Sequence, residues 1–339
     1  VFVIAMVVLA VVSAAGLVLD DRVLVGAPIW MKPFKFSVSF VAYCLSLAWL
    51  LAQIPPGRAR RVGRWAGTVV VLGGAVEMVV IVGQVIRGRR SHFNHATPLD
   101  DALYNVMALT VVVLWLATLL VAVLLLRARV ADRVAAWAMR SGIVLALAGA
   151  AVGFLMTQPA PGQVREVSDV VGAHSVGVPD GGPSMPLTGW STIGGDLRIP
   201  HFFGMHALQV LPLVVIALAV LARRLPHRPE LGEKRVQLRL IVLASVAYAA
   251  FFALLIWQAL RGQPLLRPDA ATLTAAGLIV GVTAAGTWTI LRVARGTRHQ
   301  ASASAEAIAI AAAEPTNSNS RTGTSTSTTP ANTPEQTAR

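Results

Sequence analysis

The sequence predicts an all-α, polytopic membrane bundle of about eight transmembrane helices. Three observations predict it. Of the 339 residues, 55% are hydrophobic and only 13% charged, with a mean hydropathy of +0.66, whereas a soluble domain carries about 25% charge. The apolar residues gather into runs that meet the roughly 20 residues needed to cross a bilayer. The charges lie between those runs, so the net charge of +13 reads as membrane topology, with a lipid bilayer as the partner and no nucleic acid. The lone cysteine, Cys44, excludes a disulfide framework and any Cys-rich zinc or iron–sulfur site.

The first run, 1–19, has small residues at Ser13-Ala14-Ala15-Gly16 that would suit a cleaved signal. It has no basic segment ahead of it and opens on Val, which favours a retained helix with a trimmed start. The next runs are 34–54, 66–86, 104–126, 136–157, 201–222, 238–260 and 270–291. Thr97-Pro98 followed by Asp100 and Asp101 is a good start for the fourth helix, with acids at its positive end. Pro200 suits the first turn of the sixth, where its missing N–H costs nothing. Gly73-Gly74 is the one candidate break in the third helix, and Pro212 would free a carbonyl near Leu208 in the sixth.

These spans divide the chain into 1–157 (a first membrane half of four helices, plus helix five), an extracytoplasmic loop over 158–200, helices six to eight over 201–296, and a cytoplasmic tail over 297–339. Within the tail, 301–313 is Ala-rich and helix-compatible. Residues 315–339 are Ser, Thr, Asn and Pro with almost no apolar content, a composition expected to stay disordered.

Arginine and lysine set the orientation. One set of connections, with the tail, holds 19 of the 29 basic residues, and the other holds 10. The richer side is cytoplasmic, which places both termini inside. Arg87-Gly-Arg-Arg90 falls on the outer side against this rule. It either snorkels to headgroups or binds something anionic.

Two segments repeat in the same order. Gln84-Val-Ile-Arg87-Gly88 matches Gln258-Ala-Leu-Arg261-Gly262, and Pro33-Phe-Lys-Phe36 matches Pro200-His-Phe-Phe203. Either the chain holds two parallel four-helix halves, or a small apolar alphabet has produced a coincidence.

Five of the seven histidines, His92, His95, His174, His201 and His206, fall at or near the outer side. The 158–200 loop is longer than the 12–15 residues that structureless loops rarely exceed. It carries Trp190, Asp196 and Arg198 among turn glycines and prolines, and is expected to fold as a cap. His206 and Gln209 share a helix face, while His201 and His206 diverge by about 140°. Glu77 sits near mid-membrane, where an acid costs on the order of 2.5–3.5 kcal/mol, so it is either protonated or paired inside the bundle. Gln84 extends a polar line from it toward His92 and His95. Buried Gln also serves as plain helix–helix glue. Trp30, Lys32 and Lys35 read as interface anchors.

The runs Asp20-Asp21-Arg22…Trp30-Met-Lys-Pro-Phe-Lys35-Phe, Gly88-Arg-Arg-Ser-His92-Phe-Asn and Gly194-Gly-Asp-Leu-Arg198…His201-Phe-Phe-Gly-Met-His206-Ala-Leu-Gln209 resemble those of a family of bacterial, actinobacterial-type multi-spanning membrane proteins that carries no assigned activity. That resemblance implies the bacterial cytoplasmic (inner) membrane and nothing about chemistry. The layout is loosely similar to that of the haem A synthases, whose acid-rich loops and His-Arg pairs are not matched here.

Three functions follow as expectations. The first is a haem b or transition-metal site, with His92 or His95 facing His201 or His206 and Gln209 orienting His206. The second is a proton-coupled small-molecule transporter using Glu77. The third is a non-catalytic sensor or assembly protein whose outer cap binds a ligand. No nucleotide-binding or catalytic motif appears.

Overall fold

The structure, a computed structural model, describes residues 1–164 and 167–313. It is all-helical: α1 (Phe2–Leu19), α2 (Met31–Gln53), α3 (Arg58–Ile86), α4 (Pro98–Arg127), α5 (Arg133–Met156), α6 (Arg198–Arg224), α7 (Lys234–Leu260) and α8 (Ala270–Ala313). All eight are long and apolar enough to cross a membrane, so the chain is a multi-pass membrane protein. One compact unit covers Val1–Ala294. A second runs from Arg295, and its described residues, to 313, are helical. The stretch 315–339 lies outside the described residues.

Most helices outrun their apolar spans. The third begins eight residues earlier than its hydropathy, at Arg58, because the bilayer limits the apolar stretch whereas backbone hydrogen bonding carries a helix on into polar surroundings. Thr97 caps α4 by accepting from the Asp100 backbone N–H at 3.1 Å, with Pro98 in the first turn. Asp132 caps α5 through the N–H groups of Val134 and Ala135.

Neither candidate break interrupts its helix. The third runs unbroken through Gly73-Gly74 because both glycines are packing positions. A Cβ on Gly74 would come within 2.9 Å of the Phe40 ring and 3.0 Å of Phe2, and one on Gly73 would press on Leu114 and Thr110. The sixth continues through Pro212.

Connections after α1, α3, α5 and α7 meet at one end, called here the cap face. The others meet at the arginine face. Helices α5 and α6 pack most extensively. At their crossing, a Cβ on Gly149 would lie 2.5 Å from the Gly204 carbonyl carbon, and one on Gly204 would lie 2.5 Å from the Gly149 Cα and 2.7 Å from Phe252. The two backbones touch, which is how small residues hold membrane helices together without a hydrophobic driving force. A core including Leu50, Val121, Leu125, Met139, Ile143 and Leu208 ties this pair to α2, α3 and α4.

The matched ends of α3 and α7 are built alike. Gln84 donates to the Arg90 carbonyl and Gln258 to the Pro264 carbonyl, each at 3.0 Å and six residues on. Gly88 and Gly262 both take a left-handed φ, at 67° and 70°, as a helix C-terminus that stops sharply requires. Arg87 pairs with Asp100 at the start of α4, and Arg261 with Asp269 at the start of α8.

Candidate functional site

At the cap face a cavity of about 170 Å³ lies among four elements. One wall is the hairpin β1 (Val23–Leu24) and β2 (Ala27–Pro28) with the first turn of α2. Another is the end of α3 and the loop 87–97. The rest is the cap, whose described residues run 157–164 and 167–197 and which reaches the cavity between His174 and Ser191, and the start of α6. Ile81, Phe36 and Phe202 supply apolar lining.

Each wall has a local reason for its shape. The hairpin turns at Val25 (φ 52°) and Gly26 (φ 73°), the pair of left-handed residues that a tight two-residue hairpin demands. A β-branched residue there is strained, and Val25 lines the cavity. Phe93, also left-handed at 61°, packs its buried ring between His92 and His174. The loop 87–97 is held from below by Gln84, which donates at 2.9 Å to the fully buried Asp100 while Arg87 donates to the same oxygen at 2.7 Å. It is held from the side by the cap, through the Asp169 carbonyl to the His95 N–H and the Phe93 carbonyl to the Val171 N–H.

The cap is closed by a clasp. Strands β3 (Ser175–Val176) and β4 (Gly195–Asp196) pair antiparallel. Buried Asp196 accepts from the backbone N–H groups of Ser191 and Arg198 and from the Arg198 guanidinium at 2.9 and 2.6 Å, and that guanidinium also donates to the Gly189 carbonyl. Lys35 donates to the Thr188 carbonyl at 2.9 Å, fixing the cap to α2. Trp190 is half-buried in this turn, its carbonyl accepting from the Met185 N–H.

The charges on the lining are unbalanced. Among the described residues, Lys32, Lys35, Arg89, Arg90 and Arg198 line the cavity, against one carboxylate, Asp180. Arg198 is neutralised by Asp196. The carboxylate of Asp180 is occupied by the His174 imidazole at 2.7 Å and by the backbone N–H groups of His174 and Ser175. Burial works to raise this carboxyl, but those bonds hold it well below the usual carboxylate range. Among the described residues none of Lys32, Lys35, Arg89 and Arg90 has a carboxylate in ion-pair contact; at longer range Lys32 feels that of Glu77 and Lys35 that of Asp196.

Of the five outer-side histidines, His92 and His174 line the cavity. Burial pushes His92 well below its ordinary 6.5, and Lys32 pushes the same way. Burial also lowers His174, against the opposing pull of Asp180. Both are neutral at pH 7, and the Nδ1–H bond to Asp180 leaves a lone pair on His174 Nε2. His95 lies apart, donating to Asp101 at 2.5 Å beside Tyr104. His201 donates to the Gly149 carbonyl at 2.8 Å and so bridges α5 and α6. His206 stacks on Phe202 and meets Gln209 at 3.3 Å, while Gln209 donates to Ser46. Among the described residues, no group of three or more His, Cys, Asp or Glu side chains is placed to hold a metal ion.

Glu77 is 2% exposed, and neither carboxyl oxygen has a hydrogen-bond partner among the described residues. It lies one helical turn beyond Ile81 of the cavity lining, inside the bundle. The Ser13 and Ser37 hydroxyls, on α1 and α2, are also buried without hydrogen-bond partners among the described residues.

Sequence reasoning passed over three contributors. Lys32 and Lys35 fit the description of headgroup anchors, and Asp180 lay among turn residues. The available signal was that two of the chain's three lysines share one helical turn. Comparison with protein-family models, with curated proteins and with solved structures finds no match to this chain.

Proposed function

We propose that this membrane protein binds a small anionic ligand in the cap-face cavity, with the cap outside the cytoplasm and both chain ends inside. One observation carries the reading: among the described residues, four basic side chains with no carboxylate in ion-pair contact line a concave site whose one lining carboxylate is already engaged. Such an arrangement focuses a positive potential on the cavity. The same charge opposes a bare metal cation beside His92 and His174, so the anion reading has stronger support than the haem or metal one.

The test is thermal unfolding of the detergent-purified protein at constant ionic strength, with sulfate replacing chloride. A ligand at 100 times its Kd stabilises by about 2.7 kcal/mol. Sulfate is expected to raise the midpoint of the wild type and to leave the Lys32→Glu/Arg90→Glu variant unmoved. The effect should grow as pH falls below 6.5, because His92 and His174 have lowered pKa values and gain charge only in acid, while sulfate keeps its charge. An identical sulfate response in wild type and variant would contradict the reading.

A second reading, proton-coupled transport, is favoured by Glu77, a buried carboxyl with no hydrogen-bond partner among the described residues, one turn from the cavity. In proteoliposomes, Glu77→Gln is expected to retain anion binding and to lose at least tenfold of any pH-driven uptake. Equal uptake by Glu77→Gln and wild type would exclude that role.

A further inference from the structure

We propose that the cavity is built for a phosphate group carried as a small monoester. The inference rests on the anion-binding reading above and narrows it to one chemistry.

Charge sets the first limit. A monocarboxylate would leave at least three of Lys32, Lys35, Arg89 and Arg90 uncompensated, whereas a phosphate monoester carries close to two negative charges at neutral pH. Geometry sets the second. The donors come from separate elements, Lys32 and Lys35 from the first turn of α2 and Arg89 and Arg90 from the loop after α3. Donors spread this way suit the several outward oxygens of a tetrahedral centre better than the two coplanar oxygens of a carboxylate. The α2 start adds to them: Trp30 provides no side-chain cap, and Met31 and Lys32 lie on the cavity wall, so their two N–H groups and the helix dipole are available there, Pro33 having no N–H.

The two neutral imidazoles set the third limit. A wall made only of cations has no acceptor for a P–OH group. His174, with Nδ1–H committed to Asp180, presents the acceptor lone pair of Nε2, which serves the P–OH of inorganic monohydrogen phosphate and, in a dianionic monoester that has no P–OH, a hydroxyl of the ester arm; sulfate offers neither. Size sets the fourth. At about 170 Å³ the cavity holds a phosphate with a short ester arm and falls below the roughly 300–1,000 Å³ of drug-sized sites. The phosphate could arrive on a water-soluble metabolite or on a lipid headgroup.

Calorimetric titration of the full chain in detergent tests the proposal, with inorganic phosphate, glycerol phosphate, sulfate and acetate as probes, and with micelles doped with phosphatidic acid. Inorganic phosphate is expected to bind at least tenfold more tightly than acetate and severalfold more tightly than sulfate. Arg89→Ala should weaken phosphate about tenfold. Arg89 is exposed and makes no side-chain hydrogen bond among the described residues, so this variant tests charge without disturbing the fold. Binding of glycerol phosphate with none of phosphatidic acid supports the proposal with a soluble source, and the reverse supports it with a lipid source. Phosphate binding no tighter than acetate overturns the phosphate inference and leaves the anion reading standing. If none of the anions binds, both fall.

Discussion

Asp196→Ala is expected to destabilise the protein by about 3–5 kcal/mol, the range for removing one partner of a buried ion pair. Asp196 is 1% exposed and receives two backbone N–H groups and two guanidinium bonds. Without it Arg198 becomes an uncompensated charge at the root of α6, and the β3–β4 pairing loses its anchor. Limited proteolysis should then cut within 175–197, where the wild type resists, and sulfate stabilisation should vanish with the cavity wall. Asp196→Asn keeps two acceptor lone pairs and should fall between. An Asp196→Ala protein that unfolds within about 0.5 kcal/mol of wild type, the size of an ordinary surface change, would show that the clasp does not hold the cap.

Gly204→Leu is expected to be as damaging by a different route. Overpacking a core position typically costs about 1–3 kcal/mol because side chains can shift. Here the first obstacles to any Cβ are backbone atoms of Gly149 and the Phe252 ring, and backbone cannot rotate out of the way. Helices α5 and α6 must separate, which also breaks the His201 bond to the Gly149 carbonyl. The expected result is little folded protein after detergent extraction. The contrast is Gly277→Leu on α8, where a Cβ meets nothing within 4 Å and folding should be unchanged. Equal yields from the two variants would refute the close crossing.

The membrane fold was legible because lipid imposes a coarse rule: a spanning segment must be helical and apolar, and hydropathy reports both. The start of α4 was legible too, since Thr97, Pro98 and Asp100 act within one turn. What hydropathy hid was the role of glycine. Gly73-Gly74 looked like a break because a single sequence shows weak helix propensity but not the Phe40 and Phe2 rings that fill the space. The matching Gln-x-x-Arg-Gly ends of α3 and α7 were visible as letters. That each Gln reaches a carbonyl six residues on, and each Arg an Asp at the next helix start, depends on the turn the backbone takes after the helix, which the letters do not carry.

The candidate site was only half legible. A histidine's letter carries no direction: of five outer-side histidines two line the cavity, His95 and His201 tie a loop and a helix to their neighbours, and His206 meets side chains of its own helix. Lys32 and Lys35 looked like snorkelling anchors because snorkelling needs only position in the chain. Their facing a cavity depends on a cap arriving from more than 150 residues later, through the Thr188 carbonyl bond to Lys35.

The most direct measurement is anomalous diffraction from crystals of the purified protein soaked in selenate, a tetrahedral dianion visible through its selenium. A selenium peak is expected in the cap-face cavity, within hydrogen-bonding reach of Lys32 and Arg90. A well-ordered cavity without such a peak, or selenate bound solely at the arginine face, would contradict it.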